Sequence, residues 1–252
     1  MDKMPAWADA ILVPLISILL AAILSALVIL AIGEDPVAAV KLMVTGALGS
    51  SYGWGFTLYY ATNFLFTGLA FAVASHAGLF NIGSEGQAMI GGLGVAIVCL
   101  MIPWPHWALA LPAAILGAAA FGALWALIPG WLQAKRGSHI VITTIMFNFI
   151  AAAVLNYVLV NILRPEGSMD PASAKFPEGA HLPTLHEMLL PLGINFSKAA
   201  PVNVSLLIAL LACVLVWVLI WRTKLGYEIR ALGHSESASR YAGIPPVKIV
   251  VI

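Results

Sequence analysis

Charge is what this chain of 252 residues has least of: 12 lysines and arginines and 11 aspartates and glutamates, together 9%. A soluble domain carries about 25% charged residues. That deficit, with 62% hydrophobic residues, excludes an ordinary water-soluble fold and points to a polytopic membrane protein. A net charge of +1 gives no basic surface for nucleic acid, and no nucleic-acid partner is expected. Cysteine is nearly absent. Cys99 and Cys213 both fall inside apolar runs, where they read as small buried hydrophobes rather than a disulfide or metal pair. No histidine–cysteine cluster has metal-ligand spacing. The chain has no G-x-x-x-x-G-K-[ST], and Glu85, His76 and His139 show neither H-E-x-x-H nor G-x-S-x-G. Glu85, His76 and His139 are the only candidates for intramembrane catalysis, and without such a motif no enzyme is expected.

What is present is a series of apolar runs: Ile11–Ile32, Phe56–Ala74, Gln87–Ile102, Trp107–Ile128, Ile140–Leu163 and Val204–Trp221, with a seventh starting at Val247. A spanning helix needs about 20 residues. The reading is therefore all-α, with about six transmembrane helices plus a truncated seventh. The first run is too long for a signal-peptide core of about 7–15 residues, so it is read as an uncleaved span with Lys3 as its positive flank. Lys135 and Arg136, and then Arg222, Lys224, Arg230 and Arg240, mark cytoplasmic connections. The proline-rich loop Arg164–Asn203 falls outside, and the N-terminus is cytoplasmic. Pro165, Pro171, Pro177, Pro183, Pro191 and Pro201 forbid one long helix in that loop. His181 and His186 within it are read as solvated. Between the first two runs, Asp35 and Pro36 predict a capped, short amphipathic helix lying in the interface and ending near Gly46 or Gly49.

The most informative stretch is Gly78–Gly94, GLFNIGSEGQAMIGGLG. Asn81, Ser84, Glu85 and Gln87 stand there among glycines between apolar runs. An ionised group at mid-membrane costs about 2.5–3.5 kcal/mol on insertion scales, so such residues face protein or a water-filled path. The stretch predicts a broken helix around Phe80–Gly86, buried among neighbours, with Ser84 capping a second, half-length helix. A polar loop at the membrane surface fits the spacing equally well. Tyr59, Asn63 and Thr67 share a helix face, as do Thr144 and Asn148. Their amides and hydroxyls suit sugar hydroxyls or base edges, and Tyr59, Phe66 and Phe147 are candidates to stack on a ring. The candidate path residues are Asn63, Asn81, Glu85, Gln87, Thr144 and Asn148.

In Arg222–Pro246, Gly226 and Gly233 read as breaks, Ser235 as the cap of a short helix Glu236–Ala242, and Gly243 as its end. A capped surface helix between two spans is built to be held by a partner.

GLFNIGSEGQ resembles the motif of permease subunits of ATP-binding-cassette importers for simple sugars and nucleosides, a branched-chain amino acid permease-like family. Asp35-Pro36, Gly46–Ser50, Ile128-Pro129-Gly130, Ile142–Asn148, Leu225-Gly226, Arg230–Gly233 and Tyr241–Ile244 follow in the family's order. The nucleoside branch is the closer match. The resemblance implies one transmembrane permease domain over 1–252, C-terminally incomplete, with a cytoplasmic coupling loop at 222–246. It implies a bacterial inner-membrane location among lipid, a second permease subunit and an extracytoplasmic substrate-binding protein. It also implies an ATP-binding subunit that carries the ATP–Mg, this chain binding no cofactor. Coupling to that subunit falls to Gly233, Glu236, Ala238, Tyr241 and Gly243, with small departures from the family at His234–Glu236 and Ala238-Ser239. The competing reading is an ion-coupled secondary transporter or channel with Glu85 as the ion or proton site.

Overall fold

The apolar runs become helices because an unpaired backbone group in hydrocarbon has no water to turn to. In the computed structural model, which describes residues 8–251, helices α1 (Val13–Ala31), α3 (Ser51–His76), α4 (Ser84–Met101), α5 (Trp107–Arg136), α6 (Ile140–Val158, extended by a π turn to Leu163) and α8 (Ser205–Arg222) are long and apolar enough to cross a membrane. Shorter helices are α2 (Pro36–Leu48), α7 (Leu185–Leu189), α9 (Lys224–His234), α10 (Glu236–Tyr241) and α11 (Pro246–Val251). No strand is found among the described residues; a single isolated bridge pairs Thr184 with Asn203. The all-α, six-span expectation holds. Lys3, the expected positive flank, lies outside the described residues, as does Ile252 at the end of the seventh run.

The chain divides into two units, Met1–Thr57 and Leu58–Ile252. In the first, α1 has no buried residue along its length. Asp35 caps α2 through its carboxylate, which accepts from the Val37 N–H at 2.9 Å, with Pro36 at the first helical position. The helix ends at Leu48 with Gly49 as its cap, the second of the two expected glycines.

In the second unit α4 is the centre. Small residues let it approach two neighbours closely, the usual packing solution in a membrane. A Cβ on Gly94 would lie 2.9 Å from the Phe121 side chain of α5, and one on Gly91 would lie 3.3 Å from the Ala118 carbonyl. On the α6 side, a Cβ on Gly86 would meet Asn148 and Ala151. Ala151 has no exposed surface.

Helix α5 runs eight residues past its expected end at Ile128 and carries Pro129 inside it. It stops only where Gly137 adopts φ +66°, with the Gly137 and Ser138 N–H groups donating to Gln133 and Leu132. Lys135 and Arg136 complement the negative helix end there.

The loop Arg164–Asn203 carries three short helical turns, all after Pro177. Thr184 and Glu187 form a capping box on α7. Leu185 N–H donates to Val202 (2.9 Å) and Val204 N–H to Pro183 (3.2 Å), clasping the two ends. Val202 and Ala200 are buried beneath the clasp. His181 is exposed, but His186 is half-buried, with Nδ1 2.7 Å from the Phe196 carbonyl. The reading of His186 as solvated is therefore corrected: the clasp folds the loop over it.

Candidate functional site

Helix α3 ends at His76. Gly78 takes φ +75°, and the Leu79 N–H reaches back to Ala74 (3.0 Å). The chain is non-helical from Ala77 to Gly83 and helical again from Ser84. The break thus sits three residues earlier than expected, and α4, 18 residues long, qualifies by length as a full span rather than a half-helix.

Ser84 does not cap α4. Gly83 holds the cap position without any side-chain bond from itself, and Ser84 Oγ is buried without a partner. The capping function comes from another helix. Asn148 of α6 accepts from the Gly86 N–H with Oδ1 (2.9 Å) and donates through Nδ2 to the Ile82 carbonyl (3.0 Å). One amide therefore ties the end of the break to the first turn of α4. Asn81 Oδ1 accepts from Gly83 N–H at 2.8 Å and fixes the turn between them.

The burial expected of the whole break is only half right. Gly83 and Gly86 are buried and Asn81 half-buried, whereas Phe80, Ile82 and Glu85 are exposed in this chain. The helical period explains this: with Gly86 turned to α6, Glu85 falls about 100° round the axis.

A cavity of about 280 Å³ lies against the break. Its walls come from α3, α4, α5, α6, α8, α9 and α11, and most of its lining is apolar, including Ala74, Ala126, Leu219 and Ile249. Its polar groups are Asn81, Gln87 and Thr144, three of the six candidate path residues. Among the described residues no charged side chain lines it. Thr144 Oγ1 donates within its own helix to Ile140 (2.8 Å), leaving the hydroxyl oxygen free to accept. Glu85, Asn63 and Asn148 are not brought to this cavity. Asn63 is exposed on α3.

The proposed stacking aromatics do not line the cavity. Phe147 packs edge-on to Trp125 at 5.4 Å and Tyr59 to Tyr60 at 5.4 Å. A separate groove of about 520 Å³ holds Phe64, Thr67, Phe71, Phe80 and Ser84, with Asn81 bordering both spaces. Phe71 and Phe80 meet edge-to-face there at 5.2 Å. The sequence gives no signal for them, because phenylalanines in an apolar run look alike until the fold separates them.

The α9–α10 elbow is locked at its base and open at its tip. Gly226 and Gly233 do not break α9; both lie inside it. Each is small because backbone passes close by. A Cβ on Gly226 would strike the Leu219 and Ile220 carbonyls, and one on Gly233 would strike the His76 carbonyl and come within 3.0 Å of the Gly78 nitrogen. Thr223 caps α9, its Oγ1 accepting from Gly226 N–H at 3.0 Å. Ile220, Ile229, Leu232, Ile244 and Ile249 form one apolar core under the elbow, against Val73 and Ala77 of the α3 end.

Ser235 caps α10 as expected, accepting from Ala238 N–H at 3.3 Å. The helix ends at Tyr241, one residue early, and Gly243 takes φ +77°. Glu236 and Arg240 pair at 2.6 Å across one turn. Ser239 is buried, whereas Ala238 is exposed and Tyr241 is 95% exposed.

Residues 53–252 match the family described as branched-chain amino acid transport system / permease component. The guanosine ABC transporter permease protein NupP of Bacillus subtilis is 36% identical over 93% of this chain and 64% of its own length. The glucose ABC transporter permease protein TsgB13 of Haloferax volcanii is 35% identical over 95% of this chain and 62% of its own. The nucleoside ABC transporter permease protein NupB of Lactococcus lactis is 33% identical over 96% and 66%. The chain therefore spans a little under two thirds of the length of these curated relatives. No solved structure matches it. By its motif order, its helices and these similarities, the chain belongs to the branched-chain amino acid transport system permease family.

Proposed function

We propose that this chain forms the membrane-spanning part of an ATP-binding-cassette importer that moves an uncharged nucleoside or simple sugar. ATP hydrolysis, with its Mg, belongs to a separate ATP-binding subunit that docks on α10. A second permease subunit and an extracytoplasmic substrate-binding protein complete the assembly in the inner (plasma) membrane. The observation that carries this is the seating of the α9–α10 elbow. Gly233 rests on His76 and Gly78, directly before the residues Leu79 and Asn81 that wall the cavity. A partner bound at the exposed tip therefore acts on a cavity wall through backbone contact.

The cavity chemistry supports an uncharged solute. Its volume, about 280 Å³, lies just below the range for small-molecule sites, about 300–1,000 Å³. It offers amide and hydroxyl groups and no charge to compensate a phosphate. Glu85 lies away from it, so the ion-coupled reading finds no support in the geometry. In vesicles holding the complete permease with its ATP-binding subunit and binding protein, uptake of a nucleoside or hexose is expected to need ATP hydrolysis. Phosphorylated analogues should be taken up at least about tenfold more slowly, because nothing in the cavity replaces their hydration. Glu85→Gln is expected to keep transport, and collapsing the proton gradient should leave it unaltered. Uptake that follows the gradient and is lost in Glu85→Gln would establish the ion-coupled mechanism instead.

The topology is part of the same reading. With Lys135, Arg136 and the Arg222–Arg240 cluster cytoplasmic, the N-terminus is cytoplasmic and the clasped loop faces outward. In a background free of Cys99 and Cys213, Ser173→Cys should react with an impermeant thiol reagent on intact cells. Ser237→Cys should react only after permeabilisation. The reverse pattern would invert the assignment.

A further inference from the structure

We propose that Arg230, laid on the face of Trp221, is the positioning residue that makes movement of the α9–α10 elbow felt at the end of α3. This rests on the coupling role proposed above for the elbow. The guanidinium carbon stands 4.5 Å from the centre of the indole ring. The same ring meets His76 edge-to-face at 5.9 Å and 89°. His76 is the last residue of α3, and its Nδ1 sits 2.8 Å from the Ala72 carbonyl, which fixes the imidazole to its own helix. Three elements, α9, α8 and α3, are thus joined by one cation–ring–ring stack.

Arg230 is an unusual member of that stack. Its Nε is buried without a hydrogen-bond partner, and among the described residues it makes no ion pair. The nearest carboxylate along α9, Glu228, pairs instead with Lys224 at 3.8 Å. Arginines at a membrane boundary ordinarily extend toward water or phosphate. This one is folded back onto an indole, the one partner found for its charge among the described residues. Such a contact is directional, because attraction needs the cation over the ring face within about 6 Å of its centre.

The apolar core under the elbow cannot supply direction. Its contacts are non-directional and resist separation more than sliding. The elbow is tied to α3 at two further points, however. At Gly233 the backbones of α9 and of the α3 end touch, which makes a stiff pivot. Three residues earlier, the Arg230 stack reaches the last side chain of α3. A pivot and a lateral tie together convert rotation of the elbow into displacement of His76. Ala77, Leu79 and Asn81 follow His76 and line the 280 Å³ cavity. The stack thus sets how far the cavity wall follows the elbow.

The test measures solute moved and ATP hydrolysed in one vesicle preparation of the complete permease with its ATP-binding subunit and binding protein. Arg230→Ala is expected to retain the ATP-binding subunit and stimulated hydrolysis, while solute moved per ATP falls about three- to tenfold. Arg230→Lys should recover part of the ratio, because it keeps a cation over the ring. Trp221→Leu should reproduce the loss by removing the ring. Should Arg230→Ala fail to fold, Arg230→Gln keeps the length of the side chain and carries the same readout. A ratio that stays constant while both rates fall together would show a merely structural role and overturn the proposal. Loss of the ATP-binding subunit from Arg230→Ala would overturn it too, since the residue would then serve docking. Ala238→Trp in parallel isolates the underlying reading: if that variant keeps its ATP-binding subunit, the elbow is not the coupling element, whatever Arg230 does.

Discussion

Ala238→Trp is expected to strip the ATP-binding subunit from the complete permease while leaving the membrane helices folded. Ala238 is exposed on α10, and only its backbone is used in the fold, through the bond to Ser235. A larger side chain there can be accommodated on the exposed side of the helix. Against a partner groove it must displace the groove wall, and overpacking costs about 1–3 kcal/mol. That corresponds to binding weaker by roughly 5- to 150-fold. Tyr241, three residues on and 95% exposed, shares the face. Buried interface aromatics commonly contribute about 2 kcal/mol or more, so Tyr241→Ala should weaken docking by about thirtyfold. Co-purification and stimulated ATP hydrolysis are the measurements. Retention of the subunit with full stimulated turnover in Ala238→Trp would remove the coupling role from this helix.

Asn148→Ala is expected to be the most destabilising single change at the break. The side chain holds Gly86 N–H and Ile82 C=O at once, 62 and 66 residues away in sequence. Its removal leaves both groups without partners in apolar surroundings, at about 1–3 kcal/mol each. For a chain of this size that lowers the apparent unfolding temperature in detergent by roughly 5–15 °C. Asn148→Asp keeps an acceptor for Gly86 but loses the donor to Ile82, and should fall between. If Asn148→Ala unfolds at the wild-type temperature yet binds solute more weakly, the amide is a solute ligand and not a staple.

Asn148 also shows what the sequence can and cannot convey. Its polarity within an apolar run marks it as having a partner. Which partner depends on α6 lying against a break more than sixty residues upstream, and no local pattern encodes that. The same holds for Glu85: its cost in lipid is legible, but the face it occupies is set by Gly86 packing on α6. Local chemistry carries further. Ser235, Gly243, Asp35 and Pro36 each act where their own conformational preferences place them, because a cap or a turn involves only near neighbours. Gly226 and Gly233 illustrate the limit. Glycine signals either a turn or a close approach, and only the position of Leu219 and His76 decides for the second. Gln87, Asn81 and Thr144 converge on one cavity from three separate segments, a grouping that composition can suggest but only packing can make.

The clasp at Thr184 and Asn203 has a further consequence. Its two backbone bonds join the ends of the segment 185–202 before any contact made by the rest of that segment is counted. The entropy of closing the loop is therefore met at the clasp, and beyond it the cost of added length grows only logarithmically, about 0.6 kcal/mol for each doubling. The turn at Gly193 and the exposed residues on either side of it form a cassette that can lengthen, shorten or be exchanged without disturbing the helices below. This face of the protein can change in this way while the cavity and the elbow stay as they are.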